Sequence, residues 1–250
     1  MLALDTPDLA SARRWAEAAG DAAGMVKVGL ELWGTEGPGA VRALVGDGHR
    51  VMLDLKLHDI PNTVARAVAA VAGLGAELLT IHAAGGSAMV RAAADAAARA
   101  PGRLELAGVT VLTSLDPAGA AAVGLGDPAE AVPRLARLAV GAGCRALVCS
   151  PREAAVLRRE VGPEVLLICP GVRPGGSDAG DQRRTATPAE ALAAGADLLV
   201  VGRPITSAPD LAAATRAVRD EALAAAPSRR PDGRTDGRTD GRTPSTGGSR

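Results

Sequence analysis

Along residues 1–226, short and almost wholly apolar runs alternate with longer Ala-rich stretches that carry most of the charge. The short runs read as strands buried on both faces, because they lack the apolar/polar alternation of a half-exposed sheet. They fall near 2–5, 25–29, 51–56, 78–83, 105–112, 146–150, 165–170 and 198–202. The longer stretches read as helices near 8–19, 35–46, 62–74, 86–99, 128–141, 151–160, 188–194 and 209–224. Several open on a capping residue or a first-turn proline: Pro61-Asn62, Asp127-Pro128, Ser150-Pro151 and Thr187-Pro188. Eight strand–helix units in succession predict an α/β chain folded as a (β/α)8 TIM barrel. A doubly wound open sheet is the alternative. It would carry a Gly-rich fingerprint after the first strand, and none is present.

The last 24 residues break this pattern. From Pro227 onward there is no Leu, Ile, Val or Met, and Asp-Gly-Arg-Thr occurs three times. A segment with nothing to bury is expected to be disordered. Its six Arg and three Asp make it net positive. The reading is therefore one barrel domain, 1–226, and a low-complexity tail, 227–250.

Composition narrows the function. Lys plus Arg equals Asp plus Glu at 28 each, so no global field points to nucleic acid or a membrane surface. There are two Trp and neither Phe nor Tyr, which argues against stacking on bases and leaves Ala, Val, Leu and Ile to build the core. Cys144, Cys149 and Cys169 sit in apolar runs without framework spacing and read as buried, reduced thiols of a cytoplasmic protein. Neither a signal peptide nor an apolar run of membrane-spanning length is read.

In a barrel, the C-terminal ends of the strands form the reactive face. The residues expected there are Asp5, Lys27, Asp54 with Lys56 and Asp59, His82, Thr113-Ser114, Ser150, Pro170-Gly171 and Gly202-Arg203. Asp54 and Lys56 are two apart, so strand alternation predicts that both point to one face, the barrel interior. Charges placed there are costly unless they pair and serve a purpose. A single structural ion pair would account for one Asp and one Lys, but not for an array that also includes Lys27 and further aspartates. The connection from Gly171 to Thr187 is long for an α/β turn and holds Arg173, Gln182, Arg183 and Arg184 among glycines. Gly and Arg in such a loop suit a lid over an anion, and barrels often bind phosphate after strands 7 and 8.

Other chemistries fit less well. His49, His58 and His82 lack metal-ligand spacing. Ser114 and Ser150 have no His/Asp relay. A Schiff base on Lys27 or Lys56 is disfavoured, because neighbouring carboxylates keep a lysine protonated.

The run from Asp54 to Thr63, Asp-Leu-Lys-Leu-His-Asp-Ile-Pro-Asn-Thr, resembles the signature of the orotidine 5′-phosphate decarboxylase family. Ala3-Leu-Asp5, Lys27-Val-Gly29, Thr110-Val-Leu-Thr-Ser114, Gly171-Val-Arg-Pro174, Gly180-Asp-Gln-Arg-Arg184 and Val201-Gly-Arg-Pro204 resemble it in the same order. The resemblance covers every expected strand. It implies decarboxylation of orotidine 5′-phosphate to UMP, the last step of de novo pyrimidine nucleotide synthesis, with no cofactor and no metal. It implies that Lys56 protonates C6, that Asp54 lies against the substrate carboxylate, and that Lys27 bridges the charge network and the ribose. Asp5 would bind a ribose hydroxyl, and Thr113 and Ser114 the pyrimidine. Arg173, Gln182, Gly202 and Arg203 would hold the phosphate. Asp59 and Thr63 would reach the partner's site, which implies a homodimer with active sites at its interface. Leu57 departs from the family pattern, which often has an aromatic residue there, and the tail has no counterpart. Two rivals share parts of this pattern: a magnesium-dependent sugar-phosphate decarboxylase or aldolase on a related barrel, and a non-catalytic nucleotide-binding barrel.

Overall fold

The computed structural model describes residues 1–174 and 186–225. Its eight strands are β1 (Leu2–Ala3), β2 (Val26–Val28), β3 (Val51–Leu57), β4 (Leu78–His82), β5 (Glu105–Val109), β6 (Ala146–Val148), β7 (Leu166–Cys169) and β8 (Leu198–Leu199). All pair in parallel with their sequence neighbours, in the order β1 to β8. The sheet then closes on itself: Ala3 N donates to Val201 O at 2.9 Å and Val201 N to Met1 O at 3.0 Å. The result is the expected (β/α)8 barrel, with no free edge to pair with another chain.

Two apolar layers follow from strand alternation. One face of every strand points inward, where Ala3, Met25, Met52, Leu78, Ala107, Ala146, Ile168 and Val200 fill the barrel. Small and long side chains interleave, and flexible methionines take the space that aromatics often fill. The other face packs under the helices, as Leu53, Leu79, Leu147 and Leu167 do. Both tryptophans, Trp15 and Trp33, are partly buried in this outer layer.

The helices are α1 (Leu9–Ala19), α2 (Leu30–Glu36), α3 (Pro38–Gly46), α4 (Pro61–Ala72), α5 (Gly86–Arg99), α6 (Pro117–Ala122), α7 (Pro128–Gly141), α8 (Pro151–Val161), α9 (Pro188–Ala193), α10 (Arg203–Thr206) and α11 (Leu211–Ala225). Three of the four expected starts carry caps: Asp127 Oδ1 accepts from Ala129 N, and Glu153 and Glu190 accept from Ser150 N and Thr187 N. At the fourth, α4 starts on Pro61 with no side-chain cap.

Several boundaries differ from the sequence reading. The helix expected at 35–46 is two helices broken at Gly37, since Pro38 bars its predecessor from continuing a helix and itself starts the next. The short α6 and α10 were not anticipated. Asp116 caps α6 by accepting from Gly119 N at 2.8 Å. Every strand but β3 is shorter than expected, although parallel hydrogen bonds run on past β1 and β8, from Leu4 N to Lys27 O at 3.0 Å and from Val200 N to Cys169 O at 2.9 Å. The tail read as disordered at 227–250 lies outside the described residues.

The cysteines are free and buried, as expected. Burial pushes the Cys144 thiol up to about 12. The Cys149 thiol is raised well above its ordinary value, first by its hydrogen bond to Cys169 and then by burial. Among the described residues, no helix is long and apolar enough to cross a membrane.

Candidate active site

A cavity of about 590 Å³ opens at the C-terminal ends of the strands. That size suits a small-molecule ligand. Its floor is the inner apolar layer: Ala3, Met52, Val148, Ile168 and Val200. Its walls hold charge and hydrogen-bonding groups contributed by different strands.

Four side chains form a row of alternating sign. Lys27 Nζ lies 3.0 Å from Asp5 Oδ1 and 3.5 Å from Asp54 Oδ2, and Lys56 Nζ lies 2.8 Å from Asp54 Oδ1. Asp54 and Lys27 are only 8% and 9% exposed, so these charges interact in a medium that screens them poorly. Burial on its own pushes the Asp54 carboxyl up. The charges of Lys27 and Lys56, with hydrogen bonds from Lys56 and Thr80, outweigh it and hold the group below its ordinary value of 3.8. Asp54 is therefore a carboxylate, held between the two lysine side chains.

The Asp54–Lys56 pair meets in the cavity as expected, but not by simple alternation. Leu53 pairs with Leu79 and Leu57 with Ile81, so β3 spends four steps where β4 spends two. This bulge puts Lys56 at φ 50, the only positive φ among the described non-glycine residues. A lysine held in the left-handed region is strained, and such strain clusters at functional sites.

Gly29 makes room for the row. A Cβ there would sit 2.8 Å from Lys27 Nζ and 3.1 Å from Asp5 Oδ1. Gly29→Ala should therefore fold normally, since only a flexible side-chain end must move. The displaced ammonium should lower kcat/KM by about 100-fold. Thermal denaturation and steady-state turnover, measured together, check both halves.

Thr113, Ser114, Arg173, Gly202 and Arg203, all expected from the sequence, also line the cavity, and Gly202 lies beside the row, where a Cβ would fall 3.6 Å from Asp5 Oδ2. Arg173 N donates to Ala186 O at 2.9 Å, which ties together the stems of the long connection after β7. Gln182 and most of the expected lid lie outside the described residues. Asp59 and Thr63 do not line the cavity. Both are exposed, and Asp59 Oδ1 accepts from Ile60 N at 2.6 Å. Among the described residues, no three His, Cys, Asp or Glu side chains are grouped as a metal site would need.

Sequence reasoning passed over two residues of the site. Glu31, in the first turn of α2, lines the cavity. Thr80, wholly buried on β4, bonds to both Asp54 and Lys56. A lone hydroxyl in the apolar run Leu78–His82 was the available signal for Thr80. His82 and His58, both discounted as metal ligands, lie ring against ring with centroids 5.2 Å apart. Burial, with His58 and Lys56 nearby, keeps the His82 imidazole below its ordinary value and favours the neutral form.

Comparison with known proteins agrees with this fold. Residues 1–218 match the model of the Orotidine 5'-phosphate decarboxylase / HUMPS family. The chain is 59% identical over 217 residues to an orotidine 5′-phosphate decarboxylase of Anaeromyxobacter sp. (strain K), covering 86% of this chain and 94% of that one. It is 59% identical over 222 residues to one of Thermobifida fusca, covering 88% and 94%. Among solved structures it resembles orotidine 5′-phosphate decarboxylase from Lactobacillus acidophilus, with a TM-score of 0.77 and 36% identity over 88% of this chain and 97% of that one. The match spans all eight strands, and the chain belongs to the orotidine 5′-phosphate decarboxylase / HUMPS family.

Proposed function

We propose that the protein is a carboxy-lyase that converts orotidine 5′-phosphate to UMP and carbon dioxide in pyrimidine biosynthesis, with Lys56 as the proton donor. The observation that carries this reading is the row Asp5–Lys27–Asp54–Lys56 at the mouth of the cavity. The phosphate sits against Arg173, Gly202 and Arg203, and the pyrimidine sits against Thr113 and Ser114. The ribose hydroxyls meet Asp5 and Lys27. C6 then faces the Asp54–Lys56 pair.

As the C6–carboxylate bond breaks, its electron pair stays on C6 and carbon dioxide leaves. The Lys56 ammonium stabilises that pair and then transfers a proton to C6, completing UMP. The neutral amine left behind regains a proton from water. Asp54 disfavours the bound substrate by facing its carboxylate, and the repulsion falls as carbon dioxide departs. Phosphate contacts far from C6 supply the binding energy that orders the site. Every step uses side chains alone, so no metal or cofactor takes part.

We further propose a homodimer in the cytoplasm. Asp59 and Thr63 stand exposed outside their own cavity, beside an Ile60 that is 67% exposed, and would complete the site of a second copy. Buried reduced thiols suit a reducing compartment.

The test is an ultraviolet assay of orotidine 5′-phosphate turnover with and without EDTA. Turnover unaffected by EDTA is expected. A folded protein that ignores this substrate, but acts on a sugar phosphate when magnesium is added, would overturn the assignment.

A further inference from the structure

We infer that Thr80 is a positioning residue for the decarboxylation, its hydroxyl joining the Asp54 carboxylate and the Lys56 backbone into one rigid unit. The inference rests on Lys56 being the proton donor. Thr80 lies in the middle of β4 and is wholly buried. Its Oγ1 is 2.8 Å from Lys56 N and 2.9 Å from Asp54 Oδ1. The direction of both bonds follows from the groups involved. The Lys56 N–H can only donate, so Oγ1 accepts there. An ionised carboxylate can only accept, so the single hydroxyl proton goes to Asp54.

The bulge gives this hydroxyl its purpose. Between the Leu53–Leu79 and Leu57–Ile81 pairs, β3 has two residues more than β4. The ladder therefore offers the Lys56 N–H no β4 carbonyl, and a buried donor without a partner is costly. Thr80 takes that N–H by its side chain instead. It thereby supports the left-handed turn at Lys56 and aims the lysine stem into the cavity. The same oxygen fixes the carboxylate that Lys56 Nζ meets at 2.8 Å. One hydroxyl thus sets both the root of the proton donor and the position of its counter-ion.

Valine at position 80 keeps the shape and strand preference of threonine but removes both bonds. Thr80→Val should lower kcat by about 30-fold, within the loss expected when a catalytic group is misplaced by a fraction of an ångström to an ångström. Affinity for UMP, measured by calorimetry, should stay within about twofold, because Thr80 does not line the cavity. Thr80→Ser keeps the hydroxyl and should recover kcat to within about threefold of wild type. A pH profile separates positioning from mere support of the fold. Asp54 is faced by Lys27 from β2, by Lys56 from its own strand, and by Thr80 and the neutral His82 from β4, with Asp5 behind Lys27. Losing the Thr80 bond removes support for the ionised carboxylate. The acid limb of kcat/KM should move to higher pH in Thr80→Val and stay in place in Thr80→Ser.

Wild-type kcat with an unmoved acid limb in Thr80→Val overturns the inference, as does a serine variant no better than valine. Thr80→Ala gives the same comparison if valine strains the barrel. Lys56→Ala, run alongside, separates the two readings. If it retains turnover, the proton-donor assignment falls and the Thr80 role with it. If it loses turnover while Thr80→Val does not, only the Thr80 role falls.

Discussion

Lys56→Ala should lower kcat by about 10⁵-fold, roughly 7 kcal/mol of transition-state stabilisation. Two losses combine. Without the ammonium there is no charge beside C6 while the carbanion forms, and no proton held at bonding distance afterwards. A positioned general acid contributes about 10²–10⁴-fold and a preorganised charge about 10²–10³-fold. Affinity for UMP should change far less, because the proposed phosphate contacts, Arg173, Gly202 and Arg203, come from the ends of β7 and β8 and not from β3. The measurement is turnover at saturating orotidine 5′-phosphate, with UMP binding by calorimetry on the same preparation. A variant that keeps more than about 1% of kcat would remove Lys56 from the proton-donor role.

Asp54→Ala should damage both catalysis and the fold. It removes the carboxylate that faces two ammonium groups, leaving Lys27 to Asp5 alone and Lys56 unpaired in a half-buried position. Breaking a buried charge pair costs about 3 kcal/mol, and kcat should fall by about 10³-fold. The effect on stability depends on pH. Although burial raises the Asp54 carboxyl, the two lysines and Thr80 bring it below 3.8 in the folded chain. The folded protein therefore binds this proton less tightly than the unfolded chain does. Ionised Asp54 contributes its full stabilisation above the unfolded value, and that contribution is lost as pH falls through the lower folded value. Urea midpoints at pH 7 and pH 3 test this. Wild type should lose stability between them partly through Asp54, and Asp54→Ala should lack that share. Equal losses in the two proteins would show that the row does not hold the carboxylate ionised.

Much of this architecture was readable because the strands are buried on both faces. Runs such as Val51–Leu57 and Leu78–His82 leave few other assignments, and prolines after Asp127, Ser150 and Thr187 mark helix starts. Most of the site was legible for a related reason: charges at the ends of apolar strands are too costly to be incidental, so Asp5, Lys27, Asp54, Lys56 and Arg203 stood out. What escaped depends on register. Alternation placed Asp54 and Lys56 on one face, yet they meet through a bulge that no local pattern announces. Thr80 matters because of where β4 lies against that bulge, and pairing across strands is not written in either strand alone. The break at Gly37 was legible and was passed over: Gly34, Gly37, Pro38 and Gly39 interrupt the helical texture there.

The outer layer also decides what light can report about this molecule. Trp15 on α1 and Trp33 on α2 are its only strong fluorophores, since the chain has neither Tyr nor Phe. Both helices belong to the first two strand–helix units of the barrel. Emission during denaturation therefore follows one sector of the ring, while circular dichroism follows the helices all the way around. If the two signals change together, the whole barrel lets go as one unit; if they separate, the ring opens in stages, and the order of the signals says whether that sector leaves first.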